Sequence, residues 1–141
     1  MRIPLLGRAM KMAKFVPVER GGRRDAAQAN VRAAAEALRS GLHIMVFPEG
    51  TRSEDGRLAD FKKGPFYLAM ETGARVVPMA ISGTESMMPK GSLRIIPAVA
   101  RVEFLPAVDP AQFASRQALI EAVRSEIAAA LPEKMKPLGV Q

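Results

Sequence analysis

No cysteine occurs in this chain of 141 residues. Disulfides, thiolate nucleophiles and cysteine-based metal sites are therefore excluded, and nothing calls for an oxidising compartment. Tryptophan is absent and tyrosine occurs once. With no aromatic residues interleaved among the basic ones, the chain lacks the surface on which nucleic-acid bases stack, so no nucleic-acid partner is expected. No Gly-x4-Gly-Lys-Ser/Thr stretch occurs, which disfavours a nucleoside-triphosphate cradle. A single histidine among scattered acids forms no ligand cluster, so no metal site is expected. No apolar run reaches the roughly 18 residues that crossing a bilayer requires.

The charge balance is informative. A net charge of +7 and a pI near 10.4 point to an anionic partner: nucleic acid, an anionic membrane surface or a phosphorylated substrate. Surface basicity also serves plain solubility. About half the residues are apolar (48%) and a quarter are charged (25%), the balance of a globular chain rather than a disordered one. The length suits one domain with its own core. Residues 1–15 are basic and apolar without a small-residue cleavage site, which argues against a secretory signal. They suit either an ordinary packed segment or an amphipathic one lying on a membrane, with Arg2, Arg8, Lys11 and Lys14 toward the headgroups.

Periodicity organises the rest. Asp25 and Gln28 resemble a capping box, and Ala27, Val31, Ala34 and Leu38 recur at helical spacing before Gly41, predicting a helix over 25–40. Residues 42–47 are an apolar run ended by Pro48, as in a buried strand. A polar turn at 54–56 precedes a second helix, opened by Gly64 and Pro65 and closed by Gly73. Residues 76–81 read as a strand with Pro78 at an edge or bulge, 93–96 and 99–105 as further strands. A last helix over 115–131 carries Ile120, Val123, Ile127 and Leu131 on one face and stops at Pro132. Helices alternating with strands imply an α/β fold: a mixed, partly parallel sheet flanked by helices. One domain is expected over 1–132, with 133–141 a loosely held tail.

One stretch stands out chemically: Phe47-Pro48-Glu49-Gly50-Thr51-Arg52-Ser53. It follows a strand candidate, and the ends of strands in α/β sheets are where ligands bind. Gly50 lets the backbone approach a ligand, Thr51 and Ser53 offer hydroxyls, and Arg52 offers a planar fork suited to phosphate. Glu49 would repel a phosphate unless a cation lies between them. It therefore orients a cation, accepts from a substrate hydroxyl, or pairs with Arg52 in a tight turn.

The stretch from Val46 to Ser53 resembles the third signature block of the 1-acylglycerol-3-phosphate acyltransferase family. Phe15-Val16-Pro17-Val18-Glu19-Arg20-Gly21 looks like a variant of the second block, and Val77-Pro78-Met79-Ala80-Ile81-Ser82-Gly83-Thr84 like the fourth, in the family's order. The resemblance implies an acyl transfer from acyl-CoA or acyl carrier protein to the sn-2 hydroxyl of lysophosphatidic acid, giving phosphatidic acid for phospholipid synthesis. It implies that Arg20, Glu49, Gly50, Thr51 and Arg52 bind the acceptor, chiefly its phosphate, and that Phe47, Pro48, Ser53 and Pro78 shape the pocket. Arg23, Arg24, Lys62 and Lys63 are further cations near these blocks, either solvated surface charge or a field drawing anionic lipid inward. No resident cofactor is implied. Attachment would be peripheral, at the cytoplasmic face of an anionic membrane.

Family enzymes carry a His-x4-Asp pair ahead of the second block, the imidazole serving as general base on the acceptor hydroxyl. Here the one histidine is His43, and Pro48 stands five positions later. The expectation is an N-terminally truncated acyltransferase domain, or a natural variant without the base. Either would have little or no turnover, and loss of early elements would expose apolar surface.

Overall fold

The computed structural model describes residues 8, 12, 24–84, 87 and 95–137. The chain divides into two compact units, Met1–Ile44 and Met45–Gln141. In the first, helix α1 spans Arg24–Arg39, within a residue of the span its alanine-rich periodicity predicts. Gly41 ends it in the left-handed region (φ 85°). Its N–H reaches the Leu38 carbonyl at 3.0 Å, and Leu42 N–H reaches that of Ala37 at 3.1 Å. These two bonds satisfy carbonyls that the helix end would otherwise leave unpaired.

The second unit holds the core. Helix α2 spans Lys63–Thr72, and Gly73, at φ 67°, turns the chain out of it. Strand β1 covers Met79–Ser82 and β2 Arg101–Phe104. Helix α3 spans Arg116–Ala130, its first turn capped by the Ser115 hydroxyl, which accepts from Ala118 N–H at 3.1 Å. The four residues predicted to share one face of α3 are all buried, together with Leu119. They pack with Phe61, Phe66, Ala69 and Ala80, so α2, α3 and β1 close on one another. The Phe61 and Phe66 rings stack with centroids 6.0 Å apart.

The sheet differs from the expectation. Among the described residues it has two strands paired antiparallel, Met79 opposite Phe104 through Ser82 opposite Arg101, and a bridge from Val76 to Val108 extends the ladder. Among the described residues no parallel pairing is formed. Residues 42–47 are extended but join no ladder, and Met45, Val46 and Phe47 are exposed. An apolar run states that a segment gains by burial; it does not supply the second row of N–H and C=O groups that a strand requires. Residues 95–100 are likewise outside any strand; the 99–105 candidate is realised over Arg101–Phe104, and the 93–96 candidate lies partly outside the described residues. Pro78 precedes β1 and its carbonyl accepts from Leu105 N–H at 2.9 Å, as suits a residue that can accept from a ladder but not donate to it.

One face of the ladder looks into the core through Ala80. The other carries Val102 and Phe104, both exposed. Residues 133–137, the start of the expected tail, carry a turn of 3-10 helix, Glu133–Met135, that is bonded to the loop after the motif.

Candidate functional site

The motif folds as a tight corner. Gly50 N–H donates to the Phe47 carbonyl at 3.0 Å, and Gly50 lies at φ 73°, a conformation that favours a residue without Cβ. Thr51 and Arg52 are exposed on its outer side, and Phe47 is 68% exposed. A second segment, residues 57–62, braces the corner from behind. Lys62 N–H donates to the Pro48 carbonyl at 2.7 Å, and the Lys62 stem crosses Gly50 so closely that a Cβ there would sit 3.4 Å from Cγ. Lys62 is thus a cation the fold does bring to the corner. Lys63 is exposed at the start of α2.

Glu49 has a defined partner. Its Oε2 accepts from Ala59 N–H at 2.8 Å. The carboxylate therefore serves the backbone of the bracing segment, with one of its oxygens directed onto the Ala59 amide. The Ser53 hydroxyl donates to Asp55 Oδ1 at 2.8 Å, and Arg57 N–H donates to the same oxygen at 3.0 Å. These bonds, Arg57 N–H first and Ser53 second, hold the Asp55 carboxyl below the usual carboxylate range.

The bracing segment is itself held from the C-terminal side. Leu58 N–H donates to the Met135 carbonyl at 2.8 Å and Arg57 Nη1 to that of Lys136 at 2.9 Å. Arg124, on α3, reaches the Ala59 carbonyl from Nε at 3.3 Å and Asp60 Oδ1 from Nη2 at 3.4 Å. Sequence reasoning missed Ala59, Arg57 and Arg124. Only the density of basic residues hinted at them, because these contacts join positions 65 to 79 residues apart.

Of the residues singled out from the sequence, 47–53 are brought together in one corner. Pro78 is buried beside β1, and among the described residues no hydrogen bond ties it to the corner. Arg20 and Arg23 lie outside the described residues. His43 is exposed in the extended segment. A separate hollow of about 260 Å³, lined by Ser82, Gly83, Val99, Arg101, Pro132 and Lys134, contains no corner residue.

A braced corner of the form Pro-Glu-Gly-Thr-Arg between an apolar run and a helix defines a class, and comparison with known proteins bears it out. The sequence model of the Acyltransferase family matches residues 1–82, and the chain belongs to that family. Its relatives carry a more specific name. The 1-acyl-sn-glycerol-3-phosphate acyltransferase of Limnanthes douglasii is 33% identical over 138 residues, covering 96% of this chain and 49% of the relative. A chloroplastic 1-acyl-sn-glycerol-3-phosphate acyltransferase of Arabidopsis thaliana is 45% identical over 94 residues, 67% of this chain and 26% of the relative. The crystal structure of the 1-acyl-sn-glycerophosphate acyltransferase of Thermotoga maritima superposes with a TM-score of 0.79 at 32% identity, over 92% of this chain and 51% of that one. The chain spans about half of the length of two of these relatives and about a quarter of the third.

Proposed function

We propose that the 49–52 corner is the acceptor-phosphate site of a lysophosphatidic acid acyltransferase. Arg52 and Lys62 meet the phosphate, Gly50 lets it approach the backbone, and Thr51 offers a hydroxyl. The reaction places the sn-2 hydroxyl oxygen on the carbonyl carbon of an acyl thioester, from acyl-CoA or acyl carrier protein. The new C–O bond replaces the C–S bond, and the hydroxyl proton leaves with the thiol, giving phosphatidic acid. No resident cofactor enters this scheme. The lipid acceptor and the chain's positive charge favour work at an anionic membrane surface, from its cytoplasmic face. Among the described residues no helix is long and apolar enough to cross a bilayer. The observation that carries this reading is the Glu49–Ala59 bond. It directs one oxygen of the Glu49 carboxylate into the bracing segment, while Thr51 and Arg52 are exposed.

A second reading has its own observation. The proton needs a base, and His43 is exposed with Pro48 in the place of the aspartate. On this reading the 141 residues bind the lyso-lipid without turning it over. Loss of a general base costs on the order of 10²–10⁴-fold in rate. Calorimetric titration of the purified chain with lysophosphatidic acid tests the site: saturable binding is expected, and Arg52→Ala should abolish it. Binding that is absent, or indifferent to Arg52→Ala, would sink both readings. Adding acyl-CoA then separates them, since robust phosphatidic acid production rejects the binding-only reading.

A further inference from the structure

Two cations that the corner does not use for ligand are already engaged with backbone, and one of them closes a complete relay. We propose that Arg124 is a positioning residue for the acceptor-phosphate corner, acting through the Ala59 peptide and the Glu49 carboxylate. The inference rests on reading that corner as the phosphate site.

The Ala59 residue is gripped on both sides. Its N–H donates to Glu49 Oε2 at 2.8 Å, and its carbonyl accepts from Arg124 Nε at 3.3 Å. The same guanidinium reaches the Leu58 carbonyl from Nη2 at 3.5 Å and the Asp60 carboxylate at 3.4 Å. Three consecutive residues are therefore held along one edge of one planar fork. A lysine, with a single point charge on a flexible stem, cannot span them. Arg124 is a suitable anchor because its neighbour on α3, Val123, is buried and Ile127 follows one turn later, fixing the helix to the core. Its own side chain is 26% exposed.

The relay matters because Glu49 lies next to the groups that would meet phosphate. While Ala59 N–H is in place, the carboxylate is directed into the bracing segment. Release of residues 58–60 would free that carboxylate to turn toward the ligand, placing like charges side by side. The bond from Lys62 N–H to the Pro48 carbonyl would loosen with it. Arg124 thus governs anion affinity without touching the anion.

The test compares wild type, Arg124→Gln, Arg124→Lys and Arg52→Ala, with Arg116→Gln as a control that removes the same charge from the exposed first turn of the same helix. Each ¹⁵N-labelled protein is titrated with lysophosphatidic acid, and the Ala59 amide is followed by hydrogen exchange. The expectation is a loss of affinity of about ten- to a hundred-fold in Arg124→Gln, the scale of a sub-ångström to ångström misplacement of binding groups. Ala59 exchange should quicken while the unfolding midpoint shifts little, and Arg116→Gln should stay within about twofold of wild type. Unchanged affinity in Arg124→Gln overturns the proposal. So does lost affinity with an unchanged Ala59 amide, which would mean that Arg124 meets the ligand itself. Should Arg124→Gln fail to fold, Arg124→Lys decides: wild-type affinity overturns the relay, and weakened affinity with faster Ala59 exchange supports it. Wild-type protein that binds nothing defeats the phosphate-site reading and the relay together. Binding lost in Arg52→Ala but kept in Arg124→Gln defeats the relay alone.

Discussion

Gly83 supplies a sharp test of the sheet. It follows β1 directly, one residue past the last rung, Ser82 opposite Arg101, and sits at φ 86°. A Cβ built there would overlap the Val99 carbonyl oxygen, with Val99 C at 3.3 Å and Ala100 Cα at 3.6 Å. All three atoms are backbone, so no flexible side chain can move aside. Gly83→Ala must therefore push residues 99–100 away from β1 or rotate out of its own backbone well. Overpacking of this kind costs about 1–3 kcal/mol, and forcing an L-residue to positive φ adds about 1 kcal/mol. A loss of about 2–4 kcal/mol should lower Tm by about 8–16 °C in a domain of this size. Gly64→Ala serves as the contrast: it lies within α2, and nothing stands within 4 Å of its built Cβ. Replacing a helical glycine at such a position should stabilise by about 0.4–1 kcal/mol. Urea and thermal unfolding of the two variants beside wild type would decide. A Gly83→Ala protein that melts within about 2 °C of wild type would show that 83 and 99 do not approach in solution, and the β1–β2 register would have to be abandoned.

Two further outcomes follow from the fold. Leu119 is wholly buried where α3 meets the core, so Leu119→Ala should destabilise by about 2–5 kcal/mol in urea unfolding, whereas Gln117→Ala, exposed on the same helix, should change stability by less than about 0.5 kcal/mol. Asp55 is held ionised by Arg57 N–H and the Ser53 hydroxyl, which places its folded pKa below the unfolded one. The contribution of this turn to stability is therefore complete above the ordinary carboxylate value of about 4 and is lost as pH falls through the lower folded value. NMR titration of Asp55 should show that low value and its return toward the ordinary one in Ser53→Ala; identical titrations would contradict the turn geometry.

What could be read in the sequence was whatever local chemistry decides. Helix α3 was legible because Ser115, the spacing of Ile120, Val123 and Ile127, and Pro132 all specify one segment without reference to the rest of the chain. Gly41 and Gly73 were legible for the same reason, since a positive φ at a helix end is a property of one residue. Residues 42–47 show the opposite case. Their apolar run is as clear as any in the chain, yet a strand is a relation between two segments, and pairing depends on which partner is present. The corner was legible as a set of residue types but not as a mechanism. Glu49 could be assigned three roles from the sequence, and the one the structure shows, holding the Ala59 amide, was not among them. Its partner lies ten residues on, across a polar turn whose path no periodicity records. The arginine behind that partner is farther still, 65 residues from Ala59, and α3 carries it with nothing at position 124 to distinguish it from a solvated surface charge.

On the phosphate reading proposed above, the supports of the corner bear on its affinity. A phosphate site built only from Gly50, Thr51 and Arg52 would be a flexible exposed turn, and ordering it on ligand binding would cost conformational entropy. Here the entropy is removed beforehand, by bonds from Lys62 to Pro48, from Ala59 to Glu49, and from the C-terminal turn to residues 57 and 58. Each bond is modest, about 0.5–1.5 kcal/mol, or somewhat more where a charge takes part. On the proposed reading, their effect on affinity comes instead from acting together on one short segment. The motif residues and their supports are therefore one unit, and on the phosphate reading proposed above substitution at Arg57, whose side chain makes its bond to the Lys136 carbonyl, should act on anion binding before it acts on global stability.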